Sequence, residues 1–470
     1  MKFKSFSLVV AFSIAQLACF AQTTSQKLEK AYALLASDPQ AKYALTALCV
    51  LDGNTGKPIF TRNADVGMAT ASTLKTITSA TAFSLLGEDF KYETTLAYSG
   101  KIENGVLTGD LLIIGGGDPT LGSPRYAGHQ EKEILMQWTQ AIKKAGIQRV
   151  NGRIIGDDSA WGSSSLPEGW TWQDMGNYYG AAPSVLSWRE NQFDIQLKPG
   201  AKAGQAVTLG NVVPAMPYLK IVNELTTGNA GSGDGAYAYL PPLSSIAYLR
   251  GTWGLGISKQ GISAALPDPA YDVAFHLQET LKASGIECTA PVSTGRKLKA
   301  DNDAVPTSLT KLHTTSSPSL ARIVYWFNKK SINLYGENLI KTFAAKAGKP
   351  ATTNNGVDAT LNYWAGKGLD KLALNMYDGS GLSPATRVTA NAMAAILFQS
   401  QKESWFPAFY QSLPENNGMQ LKSGSINDVS AYAGYYTNKS GQKYVAVIII
   451  NNYNGAGINK KLFKVLDALK

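Results

Sequence analysis

The chain has 470 residues with a formal charge of +10, and 44% of its residues are hydrophobic. At about 150 residues per domain, this length predicts about three domains or one core with insertions, and the hydrophobic content excludes a largely disordered chain. The positive charge forms no basic run and no basic-aromatic repeat, which argues against a nucleic-acid-binding protein.

The first 21 residues have the pattern of a secretory signal peptide. A basic start is followed by an apolar core over residues 8–17 and by small residues ending at Ala21. This core is too short for a transmembrane helix, and no other apolar run reaches the required length. We therefore expect cleavage after Ala21 and export of the mature chain to the periplasm. An N-terminal core helix and a lipoprotein attached through Cys19 are weaker alternatives.

A β-hairpin and a helix follow the signal segment. Residues 43–51 alternate in hydrophobicity and are rich in strand formers, and a return strand starts at Pro58. Residues 70–87 predict a helix, because apolar residues recur every three positions over residues 74–83 and Gly87 suits the C-terminal cap. The helix is apolar nearly all round, which predicts burial in a core.

Ser72 and Lys75 lie one turn apart on the same face of this predicted helix. A lysine can act as the base for a serine nucleophile when burial or a neighbouring cation lowers its pKa. The first turn of a helix also offers free backbone N–H groups to a developing oxyanion. The motif alone is weak, because about two such pairs are expected by chance in a chain of this length. An ordinary serine and lysine near a helix start are the alternative.

Residues 88–304 differ in character from the segments on either side. They contain short strand-like runs between glycine-rich turns, and these runs cover residues 107–114, 152–156, 193–197 and 206–209. We interpret this region as a largely β insertion within a larger domain.

Helices return after about residue 305. The predicted helices cover residues 318–329, 335–347, 390–399 and 459–469. The predicted strands cover residues 421–425, 429–437 and 443–451, and the last two form a hairpin. Strands from both ends of the chain can then share one antiparallel sheet flanked by helices. We therefore expect residues 22–87 and 305–470 to form one split domain.

Two cysteines follow the signal segment, Cys49 and Cys288. They could pair in an oxidising compartment, but Cys49 lies in an apolar strand-like run and could simply be buried. Neither has the spacing of a metal site. The chain has only three histidines, which disfavours a zinc site and leaves few candidates for a Ser-His-Asp triad.

A second candidate motif, Ser331-Ile332-Asn333, lies between two predicted helices. A serine in such a loop can relay a proton, and an asparagine can both donate to and accept from a substrate amide. Serine and asparagine also suit a helix N-cap, and for this motif alone the N-cap is the better interpretation.

A third motif, Lys422-Ser423-Gly424-Ser425, lies on a predicted strand. Glycine inside a strand often marks a place where a ligand backbone approaches closely. A lysine and a serine beside it could bind a terminal carboxylate. The alternative is a solvated edge strand with a bulge.

Taken together and in this order, the three motifs resemble the motif set of β-lactamases and penicillin-binding proteins. Ser72 and Ser331 are 259 positions apart, far more than in compact members, which matches the insertion. This makes the chain similar to the D-alanyl-D-alanine carboxypeptidase/endopeptidases of the penicillin-binding protein 4 type, the class C low-molecular-mass penicillin-binding proteins. Longer stretches carry the same resemblance, over residues 109–121, 152–158, 170–187 and 378–389.

The resemblance implies an α+β fold, with a β-lactamase/transpeptidase-like domain and two smaller, mainly β domains inserted after the Ser72 helix. It also implies a penicillin-sensitive serine D,D-peptidase that acts on peptidoglycan stem peptides, with β-lactam antibiotics as inhibitors. Ser72 would form an acyl-enzyme after Lys75 accepts its proton. Ser331 and Lys422 would help to pass a proton to the leaving amine. No metal or cofactor is implied.

The same resemblance assigns the binding of the substrate. Asn333 would hold the substrate amide, and Ser423, beside Gly424, would hold the terminal carboxylate. The backbone N–H groups of Ser72 and Ser425 would form the oxyanion hole.

Several positions bear on specificity. Asp174 and Tyr179 match the positions that line the family's pocket for a diamino-acid side chain, although a loop-structuring carboxylate is an equal alternative for Asp174. Ile332 stands where this branch usually has Asp, but that side chain is not catalytic, so we expect activity to be kept. Pro384 stands where an Arg normally lies, with Arg387 three residues on, which leaves the side-chain specificity open.

We expect a D-Ala-D-Ala carboxypeptidase that also cuts D,D-cross-links as an endopeptidase, and two other functions are alternatives. A β-lactamase or esterase on the same fold needs a base that activates water for deacylation, and no residue signals one. A non-catalytic peptidoglycan-binding protein would not need the complete set of Ser72, Lys75, Ser331, Asn333 and Lys422. Fold analogy alone does not establish a function.

Overall fold

The computed structural model describes residues 22–470, so the predicted signal peptide, residues 1–21, lies outside the described residues. The α-helices are α1 Thr24–Ala36, α2 Lys75–Leu86, α3 Glu131–Lys144, α4 Trp172–Met175, α5 Pro269–Ala283, α6 Gly295–Ala300, α7 Leu320–Lys329, α8 Asn333–Lys346, α9 Thr353–Gly366, α10 Ala390–Ser400, α11 Phe406–Ser412 and α12 Ile458–Leu466. Over these 449 positions (22–470), no helix combines the length and the apolar character that crossing a membrane requires.

The β-strands are β1 Leu45–Asp52, β2 Pro58–Arg62, β3 Gly67–Ala69, β4 Glu93–Tyr98, β5 Lys101–Glu103, β6 Val106–Thr108, β7 Leu111–Ile114, β8 Arg149–Val150, β9 Ile154–Asp157, β10 Gln192–Lys198, β11 Thr208–Val213, β12 Lys220–Asn223, β13 Thr226–Gly228, β14 Asp234–Tyr239, β15 Ile246–Gly254, β16 Gly261–Ala265, β17 Glu287–Cys288, β18 Ser293–Thr294, β19 Thr310–Ser316, β20 Leu374–Asn375, β21 Arg387–Thr389, β22 Glu415–Asn416, β23 Met419–Ile426, β24 Val429–Thr437 and β25 Lys443–Asn451.

One six-stranded sheet joins the two ends of the chain, in the order β2-β1-β25-β24-β23-β22. β1 pairs antiparallel with β2 and with β25, and β24 and β25 form the predicted hairpin with the predicted bounds. β1 and β25 are apolar along both faces, because α1 and α12 cover one face of the sheet and α10, with the helices packed on it, covers the other. The predicted α+β fold with an antiparallel sheet between helices is confirmed.

The predicted helix over residues 70–87 is present, but its first turn is a 3-10 turn, Ala71–Leu74. α2 then begins at Lys75, is buried as far as Phe83, and is capped by Gly87 with a φ of 80°. Its apolar surface is explained by its place in the core, where α7, α8 and α10 pack around it. The buried position of this helix is therefore confirmed.

The other predicted helices are present with shifted ends. α7 begins at Leu320 with Ser319 as its N-cap, later than predicted. The preceding residues are extended, because the Ser317 hydroxyl accepts a hydrogen bond from the backbone N–H of Tyr92 and ties this segment to the chain before β4. α8 begins two residues earlier than predicted, at Asn333. Helices α1, α9 and α11 were not predicted.

Residues 88–304, the predicted insertion, are largely β and contain two large hydrophobic cores. In the first core, α3 and α5, which were not predicted, pack on a five-stranded sheet in the order β18-β9-β7-β4-β19. The second core lies between the sheet β11-β10-β16 and the sheet formed by β12, β13, β14 and β15. β19 lies beyond residue 304 and still pairs with β4, so the exact domain edges stay a prediction.

Cys49 and Cys288 are both buried and free. They lie in different hydrophobic cores, which excludes the disulfide that the sequence left open. Burial raises the pKa of the Cys49 thiol to about 12 and that of the Cys288 thiol to about 11. Both thiols are therefore protonated and unreactive at neutral pH.

The contact between α8 and α9 generates a test of the packing. A Cβ on Gly356 of α9 would come within 1.9 Å of the Ile340 carbonyl oxygen of α8, so Gly356→Ala must push the helices apart. We expect the free energy of unfolding to fall by about 1–3 kcal/mol, measured by urea unfolding with circular dichroism. The control, Gly366→Ala in the same helix, meets no atom within 4 Å and should be neutral or stabilising. Equal destabilisation by both would contradict this close contact.

Candidate active site

The predicted pair Ser72 and Lys75 meets where the 3-10 turn passes into α2. Lys75 Nζ lies 2.8 Å from Ser72 Oγ. It also donates to Asn333 Oδ1 at 2.6 Å and to the Ser380 carbonyl oxygen at 2.7 Å. The Lys75 side chain is 0% exposed. These contacts hold the amine within hydrogen-bonding reach of the hydroxyl, as a nucleophile and its base require.

The surroundings of Lys75 favour its neutral amine. Burial lowers the pKa of Lys75 well below its ordinary value, and the positive charge of Lys422 lowers it further, whereas Asp378 and Glu337 raise it. The cause is that the protein interior solvates an ammonium group far less well than water does. A neutral amine can accept a proton, so Lys75 has both the position and the electrostatics of a general base for Ser72.

The second motif forms the tight connection between α7 and α8. Ser331 has a φ of 56°, in the left-handed region, which costs a non-glycine residue about 1–2 kcal/mol. This backbone turn places Ser331 on the wall of the cavity that contains Ser72. Ile332 packs partly against the main hydrophobic core, which accounts for an apolar residue at this position.

Asn333, the first residue of α8, connects Lys75 with the inserted region. Its Oδ1 accepts the hydrogen bond from Lys75, and its Nδ2 donates to the Tyr179 carbonyl oxygen at 2.7 Å. An amide nitrogen has two hydrogens, so the second one can still bind a substrate carbonyl. The predicted N-cap role does not apply, because Ile332 occupies the N-cap position.

The third motif lies on β23, directly beside the Ser72 turn. A Cβ on Gly424 would come within 2.6 Å of the Thr70 carbonyl oxygen and 2.9 Å of the Ser72 nitrogen, so only glycine permits this approach. Lys422 lies on the same side of the strand and is 1% exposed. Burial lowers the pKa of Lys422 to about 7, and its Nζ donates to the Ser423 carbonyl oxygen at 2.7 Å.

A single cavity of about 1100 Å³ collects six of the predicted residues. They are Ser72, Ser331, Asn333 and Ser425, with Asp174 and Tyr179 from the inserted region. The other four do not line it: Lys75, Lys422 and Gly424 are buried behind its wall, and Ser423 is half-buried. In the chain from residue 22 onward, no group of three or more His, Cys, Asp or Glu side chains is placed to hold a metal ion.

Asp174 and Tyr179 present a carboxylate and a phenol side by side. Asp174, in the short helix α4, accepts a hydrogen bond from the Thr171 hydroxyl at 2.8 Å. Burial and the negative charge of Asp174 raise the pKa of Tyr179, so the phenol stays protonated. Pro384 lines the same cavity, whereas Arg387 hydrogen-bonds to the Pro384 carbonyl oxygen and does not line the cavity. Arg387 therefore does not take the place of the arginine that is expected where Pro384 stands.

Glu337 was not predicted as a site residue and Asp378 was given no role, although both carboxyls are fully buried near Lys75. Asp378 is held by hydrogen bonds from Trp170 Nε1, Gly381 N, Ser383 N and Thr386 Oγ1. The available signal for Glu337 was a single acidic residue within the apolar start of a helix. Because burying a carboxyl is costly, a buried carboxyl beside a reactive group is a candidate functional residue.

A serine hydroxyl in contact with a buried lysine at the start of a helix, beside an antiparallel sheet flanked by helices, defines the β-lactamase/transpeptidase-like class of serine hydrolases. The sequence model of the D-Ala-D-Ala carboxypeptidase 3 (S13) family matches residues 28–416. The chain belongs to this family of serine peptidases.

Similar proteins agree with this assignment. The chain is 26% identical over 443 residues to a D-alanyl-D-alanine carboxypeptidase of Actinomadura sp. (strain R39), covering 88% of this chain and 79% of the relative. It is 26% identical over 430 residues to the D-alanyl-D-alanine carboxypeptidase DacB of Haemophilus influenzae, covering 87% of this chain and 85% of that relative. The crystal structure of penicillin binding protein 4 (dacB) from Haemophilus influenzae matches with a TM-score of 0.78 and 22% identity, over 92% of this chain and 97% of that chain.

Because β23 passes so close to the Ser72 turn, a side-chain atom added at Gly424 should disturb the site. Gly424→Ala places a methyl group against the backbone nitrogen atoms of Ser72 and Thr73 and should move the strand away. We expect covalent modification of Ser72 by benzylpenicillin to slow about 100-fold, comparable to the loss of one oxyanion donor. The rate of adduct formation, followed by mass spectrometry, measures this. Gly67→Ala is the control, because its Cβ would meet only Arg387 Cβ at 3.6 Å. Equal rates of adduct formation in the two variants would show that the close approach of Gly424 to Ser72 is not required.

Proposed function

We propose that this chain is an exported D,D-peptidase that hydrolyses the D-Ala-D-Ala termini of peptidoglycan stem peptides through an acyl-enzyme on Ser72. The 2.8 Å contact between the buried Lys75 Nζ and Ser72 Oγ carries this proposal. Membership of the D-Ala-D-Ala carboxypeptidase family supports the choice of the bond that is cut.

Acylation begins when the neutral Lys75 amine takes the proton of the Ser72 hydroxyl and Oγ attacks the carbonyl carbon between the two D-alanines. The carbonyl oxygen gains negative charge in the tetrahedral intermediate. The backbone N–H groups of Ser72 and Ser425 stabilise that charge, and the tight fit of Gly424 against the Ser72 nitrogen supports this arrangement. The C–N bond then breaks, which leaves an ester on Ser72.

The departing D-alanine amine needs a proton. Ser331 and Lys422 help to pass it on: Ser331 lies on the cavity wall and relays a proton, and the pKa of Lys422, about 7, lets this lysine give a proton near neutral pH. Water then attacks the ester and gives one proton to the Lys422 amine, while the Lys75 ammonium returns its proton to Ser72 Oγ as the ester C–O bond breaks. The shortened peptide leaves as a carboxylic acid, which ionises in solution, and Ser72 and both lysines regain their starting states.

The substrate is held on both sides of the scissile bond. Asn333 binds the substrate amide with the hydrogen that Tyr179 does not use, and Ser423 and the charge of Lys422 attract the terminal carboxylate. Asp174 and Tyr179 receive the amine of a diamino-acid side chain in the stem peptide. Each of these roles follows from the resemblance, and the positions of Asn333, Asp174 and Tyr179 on the cavity wall support theirs.

Cleavage of D,D-cross-links is a second activity of the same site. A cavity of about 1100 Å³ is much larger than one D-Ala-D-Ala end requires. In a cross-link, peptide continues beyond both sides of the scissile bond, so the extra volume supports a substrate of this kind. The balance between the two activities is a property of the cavity walls and not of the Ser72–Lys75 pair.

Peptidoglycan lies outside the cytoplasm, and the pattern of residues 1–21 supports export to the periplasm. β-Lactam antibiotics would act as inhibitors by acylating Ser72. The structure of a similar protein, penicillin binding protein 4 from Haemophilus influenzae, has been described in complex with a β-lactam.

The nucleophile is tested by incubating the mature protein with benzylpenicillin and following intact mass and peptide maps over time. We expect a single stable adduct on Ser72. An adduct that forms and disappears quickly would favour a β-lactamase. No adduct on folded protein would favour a binding role for this chain.

Ser72→Ala should abolish the release of D-alanine from a muramyl pentapeptide, because it removes the nucleophile while leaving the fold intact. Ser84→Ala, in the same helix, is the control and should keep activity. D-Alanine release, measured by an enzyme-coupled assay, compares the two. Full activity of Ser72→Ala would remove this residue from the mechanism.

Lys75→Ala should slow acylation of Ser72 by about 10²- to 10⁴-fold, the usual contribution of a general base. Stopped-flow acylation by a chromogenic β-lactam measures the rate. Lys346→Ala, at the exposed end of α8, serves as the control and should react at the rate of the unchanged protein. If Lys75→Ala also reacts at that rate, Lys75 is not the base.

A further inference from the structure

The loop of residues 378–381 lies between α2 and α8 and carries the carbonyl that contacts Lys75. On the α2 side, the Thr78 hydroxyl donates to the Gly379 carbonyl oxygen at 2.7 Å. On the α8 side, the Gly379 N–H donates to both carboxyl oxygens of Glu337, at 3.1 and 3.0 Å. The loop is therefore held from both helices, and the next residue in it presents its carbonyl to the Lys75 amine.

A carboxyl is a costly way to satisfy one backbone N–H, because an amide or a hydroxyl would do so without burying an ionisable group. Glu337 is 0% exposed. The charged groups that face it are Asp378 on the loop, Lys75 on α2 and Lys341 on α8. Burial and the negative charge of Asp378 raise the pKa of Glu337, whereas the charge of Lys75 lowers it. The charge of Glu337 and the charge of the proposed base therefore depend on each other.

We propose that Glu337 is a positioning residue for the acylation of Ser72. Its carboxyl holds Gly379, so that the adjoining Ser380 carbonyl fixes the Lys75 amine, and its charge sets how readily that amine is protonated. The inference rests on the proposed function, since it requires Lys75 to be the base.

The direction of the effect follows from the charges. A negative charge on Glu337 favours the ammonium form of Lys75, as does Asp378, whereas Lys422 on β23 opposes it. A neutral residue at position 337 therefore lowers the pKa of Lys75. The neutral amine then forms at lower pH, and the acid side of the pH–rate profile for acylation moves to lower pH.

The experiment is the pH dependence of Ser72 acylation by benzylpenicillin, measured on the full mature chain by quenched-flow mass spectrometry. Glu337→Gln keeps an oxygen that can accept from Gly379 N but carries no charge. We expect the midpoint of the acid limb to fall by about one pH unit. An unchanged midpoint, or a shift to higher pH, would overturn the proposal.

Asp118→Asn is the matched control. Asp118 is another buried carboxyl that accepts from a backbone N–H, that of Thr120 at 2.8 Å, and it does not line the cavity. Asp118→Asn should leave the midpoint of the acid limb unchanged. If its midpoint shifts as far as that of Glu337→Gln, the effect belongs to any buried carboxyl and the role of Glu337 is overturned.

Glu337→Asp separates position from charge, because it keeps the carboxylate but withdraws it from Gly379. Acylation should slow by about 10- to 100-fold without the shift of the midpoint. A full acylation rate in this variant would contradict the positioning role, even if Glu337→Gln did not fold. If the unchanged protein is acylated on Ser72 but Glu337→Gln shows no shift of the midpoint, only the role of Glu337 is overturned. If the unchanged protein forms no adduct, the proposed function itself is overturned.

Discussion

A lysine amine without solvent exposure, 2.8 Å from a serine hydroxyl, is the constraint on which the rest of this site depends. α2 alone would leave Lys75 near a helix start, where it would be hydrated and charged. Three other elements must close around it, and each makes a specific contribution. α8 brings Asn333, the loop after β20 brings the Ser380 carbonyl, and β23 brings the charge of Lys422. The chemistry of Ser72 is thus a consequence of packing.

Helix α8 couples this site to the inserted region. Three of its side chains, spaced by three residues and therefore on one face, donate hydrogen bonds to inserted residues: Tyr335 to Glu190, Asn338 to the Gly117 and Ser184 carbonyls, and Lys341 to the Ser164 carbonyl. Other side chains of the same helix, Asn333 and Glu337, reach the Lys75 amine and its supporting loop. The inserted region therefore shapes the active site, and its residues Asp174 and Tyr179 line the same cavity as Ser72.

Local patterns were sufficient for much of the fold. The hairpin of β24 and β25 was predicted with its correct bounds, because two runs of strand-forming residues and the turn between them are local signals. The burial of α2 was predicted from its uniform apolar surface. α9 was missed because it starts with Thr353-Asn354-Asn355-Gly356, residues of low helix propensity, and tertiary packing, mainly on α8, stabilises it. The amphipathic helices α3 and α5 were missed within a region interpreted as mainly β.

By itself, the sequence determined which reactive groups the site contains and how neighbours within one element are arranged. The period of a helix places Ser72 and Lys75 one turn apart on the same face. The period of a strand places Lys422 and Gly424 on the same side. Only the tertiary structure decided that Asn333 hydrogen-bonds to both Lys75 and the Tyr179 carbonyl oxygen. It also decided that the Glu337 carboxyl lies near Lys75. The contacts of Asn333 join residues 258 and 154 positions apart. The charge of a buried amine is set by the atoms that exclude water from it, and those atoms come from distant parts of the chain.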